Sequence, residues 1–193
     1  MSITHNHSLA RYLVTEHGLP VFPAREKASE YFNQKTGKKR SLVAKSPYIS
    51  NWQDAATTDL AQIDVWWSGH PDAIIGVVCC ERSGFLVVDI DAGANKCGEE
   101  SFAATGLKIP ETVQTRTMSG GRHLLFKYPP GANIRNSAST CFGQDVDVRA
   151  EGGYVIFAGS VLPDGRSYEY VEGLSMVVSQ KWWKFSGGVL RAV

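Results

Sequence analysis

From Ala73 to Ala158 the chain alternates short β-branched or aromatic runs with glycine-bearing turns. That rhythm is hairpin-like. It predicts strands over Ala73 to Cys79, Phe85 to Ile90, Thr112 to Thr117, Arg122 to Tyr128, Val146 to Val148 and Tyr154 to Ala158, with Tyr168 to Val171 as the last. Connections of this length join antiparallel neighbours, because a parallel pair needs a long crossover. Helical spacing is concentrated earlier, over Leu9 to about His17, with Ser8 as a candidate N-cap and Gly18 as a stop. It returns over about Leu60 to Trp67, where Asp59 and Gln62 have capping-box spacing, and in a short turn of helix over Ser101 to Thr105. Leu19 to Phe22 reads as a short edge strand. Helices first and strands afterwards predict an α+β fold with a mainly antiparallel sheet flanked by helices.

A length of 193 residues with 43% hydrophobic side chains fits one domain and excludes wholesale disorder. We read 1–193 as a single unit, with a helical and basic part over about 1–72, a sheet over about 73–172 and a tail over 173–193. The net charge of +1 excludes polycationic nucleic-acid binding. It conceals a local excess: Lys35, Lys38, Lys39, Arg40 and Lys45 occur in one apparent loop without an acid. That loop reads either as solvated or as phosphate-contacting. No apolar run is long enough to cross a bilayer. Cys79, Cys80, Cys97 and Cys141 form no C-x-x-C pair, which argues against a zinc ribbon or a disulfide framework and points to a reducing cytoplasm. Cys79 and Cys80 read as small buried hydrophobes.

Three stretches carry chemistry. In Leu86-Val87-Val88-Asp89-Ile90-Asp91-Ala92-Gly93 the two acids lie on one face at the end of an apolar strand. They either face solvent or share a cation, and an oxygen-only donor set favours Mg²⁺ or Mn²⁺. In Ser119-Gly120-Gly121-Arg122-His123 the paired glycines suit either a tight hairpin turn beside a packed histidine or a nest of N–H groups for an anion. In Asp145-Val146-Asp147-Val148-Arg149 the polar residues alternate with valine and face one side. They form either a structural ion pair or an acid that completes a metal site beside a phosphate-binding arginine.

The order of these three stretches resembles the primase–polymerase domain of phage and plasmid replication proteins, within the archaeo-eukaryotic primase superfamily. The likeness runs from about Leu9 to Val171. It includes Val21-Phe22-Pro23, Lys45-Ser46-Pro47, Trp52, Ala56-Thr57-Thr58-Asp59, Ile63, Trp66, Ile75-Gly76-Val77 and the stretch from Gly165 to Tyr168. It implies a primase-like catalytic core that joins nucleotides on a single-stranded DNA template, using dNTP or NTP. Asp89, Asp91 and Asp147 match the acids that hold Mg²⁺ or Mn²⁺. His123 matches the histidine on the incoming phosphates, with Ser119, Gly120 and Gly121 as the cradle beside it. Lys45 and Arg149 fall at basic positions near triphosphate or template. A helicase or a C-terminal helical module, in cis or in trans, is the implied partner. The chain departs from the family pattern at Asp91, where Glu is common. It also departs at Gly121, where many relatives carry Ser, and at Arg149-Ala150, where Arg-Gly is usual. Two other readings differ in class. A non-catalytic single-strand-binding module would use the basic loop and the Trp182-Trp183-Phe185 tail. A Toprim-type enzyme would need an acidic strand end before Asp89, and Glu81 is the candidate.

Overall fold

The computed structural model describes residues 3–108 and 112–171, with residue 33 by its backbone alone, and the backbone of 183–186 and 189–192. The chain is α+β, its described sheets are mainly antiparallel, and it divides into two compact units.

The first unit comprises Met1–Val77 and Ser160–Arg166. Helix α1 (His5–His17) starts four residues before the periodicity suggests, with Thr4 rather than Ser8 as its cap. The first turn, His5-Asn6-His7, has weak intrinsic helix propensity. Tertiary bonding holds it: the buried Asn6 amide donates to the Val161 carbonyl at 2.8 Å and accepts from the Val161 N–H at 2.9 Å. The helix ends as expected at Gly18, in the left-handed conformation at φ 62°. Helix α2 (Trp52–Ala55) is one turn, and α3 (Leu60–Gly69) is capped by Asp59, whose carboxylate accepts the Ala61 N–H at 2.9 Å. The second half of the expected capping box is replaced. The Asp59 N–H is satisfied by the Thr57 hydroxyl instead of Gln62.

Strand β1 (Val21–Ala24) is buried at all four positions and pairs antiparallel with β4 (Ile74–Cys79). Phe22 lies opposite Gly76, and a Cβ on that glycine would sit 2.3 Å from the ring, so only glycine fits beneath it. Ala10, Leu13, Ile63, Trp67, Ile74 and Ile75 belong to the core of this unit. The apparent basic loop proves to be largely a β-hairpin, β2 (Ser29–Asn33) against β3 (Lys38–Leu42).

The second unit comprises Val78–Gly159 and Ser167–Val193. Its main sheet contains β5 (Phe85–Ile90), β6 (Gln114–Arg116), β7 (Arg122–Lys127), β8 (Val146–Arg149) and β10 (Glu169–Tyr170), in the order β10-β6-β7-β5-β8. β9 (Gly153–Ile156) follows β8 through a turn closed by the Gly153 N–H on the Ala150 carbonyl. α4 (Gly98–Ala104) starts three residues before the expected Ser101. One face of the sheet is apolar. Leu86, Val88, Ile90, Leu124, Phe126, Val146 and Val148 pack there with Phe102 of α4 and Phe142. Cys79 is buried, but Cys80 is only half-buried beside Ser83, and all four cysteines are free thiols. The backbone of β11 (Trp183–Ser186) pairs antiparallel with β12 (Val189–Ala192). The strand-binding use weighed for Trp182, Trp183 and Phe185 falls outside the described side chains.

Candidate catalytic site

The face of β5 that does not enter the apolar core carries Asp89. Register sets its neighbours: Asp89 lies directly opposite His123 on β7 and Asp147 on β8, and His123 lies opposite Thr115 on β6. Directly opposed residues in an antiparallel sheet project to the same face. Thr115, His123, Asp89 and Asp147 therefore form one transverse row across four strands. Arg149, two positions beyond Asp147, shares that face.

The side chains converge. Arg149 Nε and Nη2 donate to Asp89 Oδ2 at 3.3 and 3.2 Å, and Nη2 also donates to Asp147 Oδ2 at 2.7 Å. His123 Nε2 lies 3.5 Å from Asp89 Oδ1. The second oxygen of Asp147 accepts the Ser139 N–H at 3.0 Å. Asp89 and Asp147 are only 13% and 15% exposed, so a cation between them offsets a repulsion that water barely screens. Arg149 supplies it. Tyr168 is buried with its ring 5.7 Å from that of His123. Burial of Tyr154 raises its hydroxyl pKa, partly countered by the charge of Arg149.

Asp91 extends the ladder one step past the strand, its N–H donating to the Asp145 carbonyl at 2.9 Å. Its carboxylate has a different cation. Lys96 Nζ donates to Asp91 Oδ2 at 3.2 Å and to Asp145 Oδ1 at 2.7 Å. These bonds, to Asp145 first and Asp91 second, push the Lys96 pKa above the ordinary lysine value. Lys96, followed by the Cys97 N–H, holds Asp145 below the ordinary carboxylate value. Asp145 departs from the simple alternation read in its sequence because it adopts a left-handed φ of 60° just before β8.

The glycine stretch forms a tight turn. Gly120, at φ 87°, donates its N–H to the Thr117 carbonyl at 2.9 Å, and the Thr117 N–H donates to the Gly121 carbonyl at 2.8 Å. The Gly120 N–H is thus used inside the turn. Ser119 Oγ lies 3.1 Å from Thr117 Oγ1. Gly121 sits where a Cβ would lie 2.4 Å from the Ile90 carbonyl oxygen and 3.0 Å from the Ala92 nitrogen. The backbone that carries Asp91 occupies the space a serine would need. Lys45 belongs to the first unit, at φ 70°, with its N–H on the Arg25 carbonyl. Glu81 is in a turn, where it accepts the Gly131 N–H at 2.9 Å, and does not supply the acidic strand end of a Toprim arrangement.

Among the described residues, no three His, Cys, Asp or Glu side chains are arranged to hold a metal ion. The closest approach to such a centre is the Asp89–Asp147 pair. Both carboxylates already address one cation, and their oxygen-only donor set fits a hard divalent ion once the guanidinium moves aside. Asp91 would join only on leaving Lys96. Sequence reasoning missed Lys96, which no motif marks, and it gave no site role to Asp145 or Tyr168, although both lie in stretches singled out above. The sequence matches the family described as bifunctional DNA primase/polymerase, N-terminal, over residues 10–181. No curated protein matches the chain.

Proposed function

Because the chain belongs to the bifunctional DNA primase/polymerase N-terminal family, we infer that it performs template-directed nucleotidyl transfer on single-stranded DNA, with dNTP, NTP or both as substrates. The observation that carries this reading is the transverse row of His123, Asp89 and Asp147, with Arg149 bridging the two acids. Asp89 and Asp147 are the residues that would hold Mg²⁺ or Mn²⁺, with Asp91 as the third donor. Such ions, when bound, activate a 3′-hydroxyl and neutralise phosphate charge.

The chain's own residues divide the remaining work. His123 is held in place by the sheet and by the Tyr168 ring, and it presents an imidazole N–H to a phosphate oxygen. Arg149 is the charge that metal binding would displace. Its side chain is 29% exposed, and a cation on the acids would free its guanidinium to pair with the triphosphate. The turn over Ser119, Gly120 and Gly121 is assigned to the phosphates, with the Ser119 hydroxyl as a polar contact. Lys45 is assigned to the template or triphosphate. A helicase or helical module, in cis or in trans, is the partner proposed for template handling.

The test is incorporation of labelled dNTP and NTP on primed and unprimed single-stranded templates, with and without divalent metal. Wild type is expected to incorporate only with metal. Folded Asp89→Ala/Asp91→Ala protein is expected to lose incorporation, and synthesis by that double variant would overturn the assignment. Metal-independent strand binding with no synthesis would favour the binding-module reading.

A further inference from the structure

The hairpin β2–β3 in the first unit has no buried face. Apart from residue 33, every residue from Glu30 to Ser41 is exposed. A two-stranded hairpin in water is marginal on its own. This one is fastened at its base, where the Arg25 N–H donates to the Ser46 carbonyl at 2.9 Å, the Lys45 N–H donates to the Arg25 carbonyl, and Ala24 bridges Pro47. Its aromatic side chains therefore stabilise no core. Yet Tyr31 is 42% and Phe32 is 59% exposed, and with Val43 they make three of the seven exposed large hydrophobics among the described residues.

Register pairs each ring with a cation. Tyr31 lies opposite Arg40, and Phe32 lies opposite Lys39. Neighbouring strand residues point to opposite faces, so each face of the hairpin carries one ring and one opposed cation. Lys38 and Lys35 add charge at the tip. Between Ser29 and Lys45 there are five cations and one acid, Glu30. The ion pair of Glu30 with Lys39 is long at 3.8 Å and fully solvated, so a phosphate can displace it at little cost.

We propose that the β2–β3 hairpin is a single-strand nucleic-acid clip, in which Tyr31 and Phe32 stack on bases while Lys38, Lys39 and Arg40 contact the flanking phosphates. Exposed rings beside cations match an unpaired strand, which offers both base faces and charge. A duplex hides its base faces, and an apolar protein partner would not call for five cations. The proposal rests on the template-directed reading above, as the part of the chain that engages the strand.

The experiment measures binding of a fluorescein-labelled oligothymidylate to the full chain by anisotropy, across a salt series, without nucleotide or divalent metal. Tyr31→Thr/Phe32→Thr keeps β-forming residues in the hairpin and is expected to weaken binding by roughly tenfold per ring. Tyr31→Trp/Phe32→Trp is expected to restore it. Lys38→Gln/Lys39→Gln/Arg40→Gln should flatten the slope of log affinity against log salt by about two. Unchanged affinity in the threonine variant, or equal loss for a blunt duplex, overturns the clip. Because the readout needs no catalysis, intact strand binding with no nucleotide incorporation removes the polymerase reading and leaves the clip standing.

Discussion

Replacing Gly121 by alanine should damage the site through the backbone alone. The added Cβ would lie 2.4 Å from the Ile90 carbonyl oxygen, where real Cβ contacts do not fall below 3.0 Å. The oxygen belongs to the last residue of β5, and the 3.0 Å contact to the Ala92 nitrogen closes the other side of Asp91. The clash is with main chain held in a ladder on both sides, so no flexible side chain can absorb it. Overpacking of this kind costs about 1–3 kcal/mol. At about 2–4 °C per kcal/mol for a chain of this size, a 2 kcal/mol cost lowers the melting temperature by roughly 4–8 °C. Gly121 has no left-handed φ, so the loss measures steric displacement rather than torsional strain. Gly84 is the contrast. It sits at φ 77° with nothing within 4 Å of its Cβ position, so Gly84→Ala strains its own torsion by about 1–2 kcal/mol and displaces no acid. Thermal melts and metal-dependent incorporation should be measured on both. Gly121→Ala is expected to lose stability and incorporation together, and Gly84→Ala stability alone. A Gly121→Ala protein that melts and incorporates like wild type would refute the reasoning.

Two further perturbations probe the charges. Arg149→Gln leaves Asp89 and Asp147 opposed and nearly buried without their cation, at a cost of about 1–3 kcal/mol. Added Mn²⁺ should raise its melting temperature more than that of wild type, and an equal Mn²⁺ effect on both would count against the shared-cation geometry. His70 stacks on Tyr48 with ring centroids 3.8 Å apart, and burial, then the charge of Arg25, lowers its pKa below 6.5. The unfolded chain therefore takes up this proton first, so stability falls as pH drops through 6.5 and below. Urea titrations across that range should show a shallower fall for His70→Gln; identical pH profiles would dismiss the coupling.

Much of the second unit was legible because its strands carry one continuous apolar face. Leu86, Val88 and Ile90 alternate with Val87 and Asp89, and β5 falls at the expected residues. Which strand neighbours which was not legible, since periodicity assigns faces but not partners. The row of His123, Asp89 and Asp147 therefore appears only with the register. Lys96 escaped notice because its partners are the side chain of Asp91 nearby and that of Asp145, 49 positions away. The β2–β3 hairpin escaped for the opposite reason. Both its faces are exposed, so the apolar alternation that marks a half-buried strand is missing. The start of α1 was lost to Asn6, whose bonding to Val161 overrides local propensity.

The row across β7, β5 and β8 also has a kinetic meaning. Arg149 reaches Asp89 over 60 positions of chain, so the charge pair forms only after a long loop has closed. Such closures cost entropy before any contact rewards them, so the acidic centre is expected to form late in folding. During synthesis Asp89 emerges well before the strand that supplies Asp147 and its arginine. A nascent chain or fragment ending before Val146 would then have β5 without one ladder and Asp89 without its cation. The opening and closing of β8 on β5 is accordingly the step whose hydrogen-exchange protection should report, amide by amide, whether the centre exists.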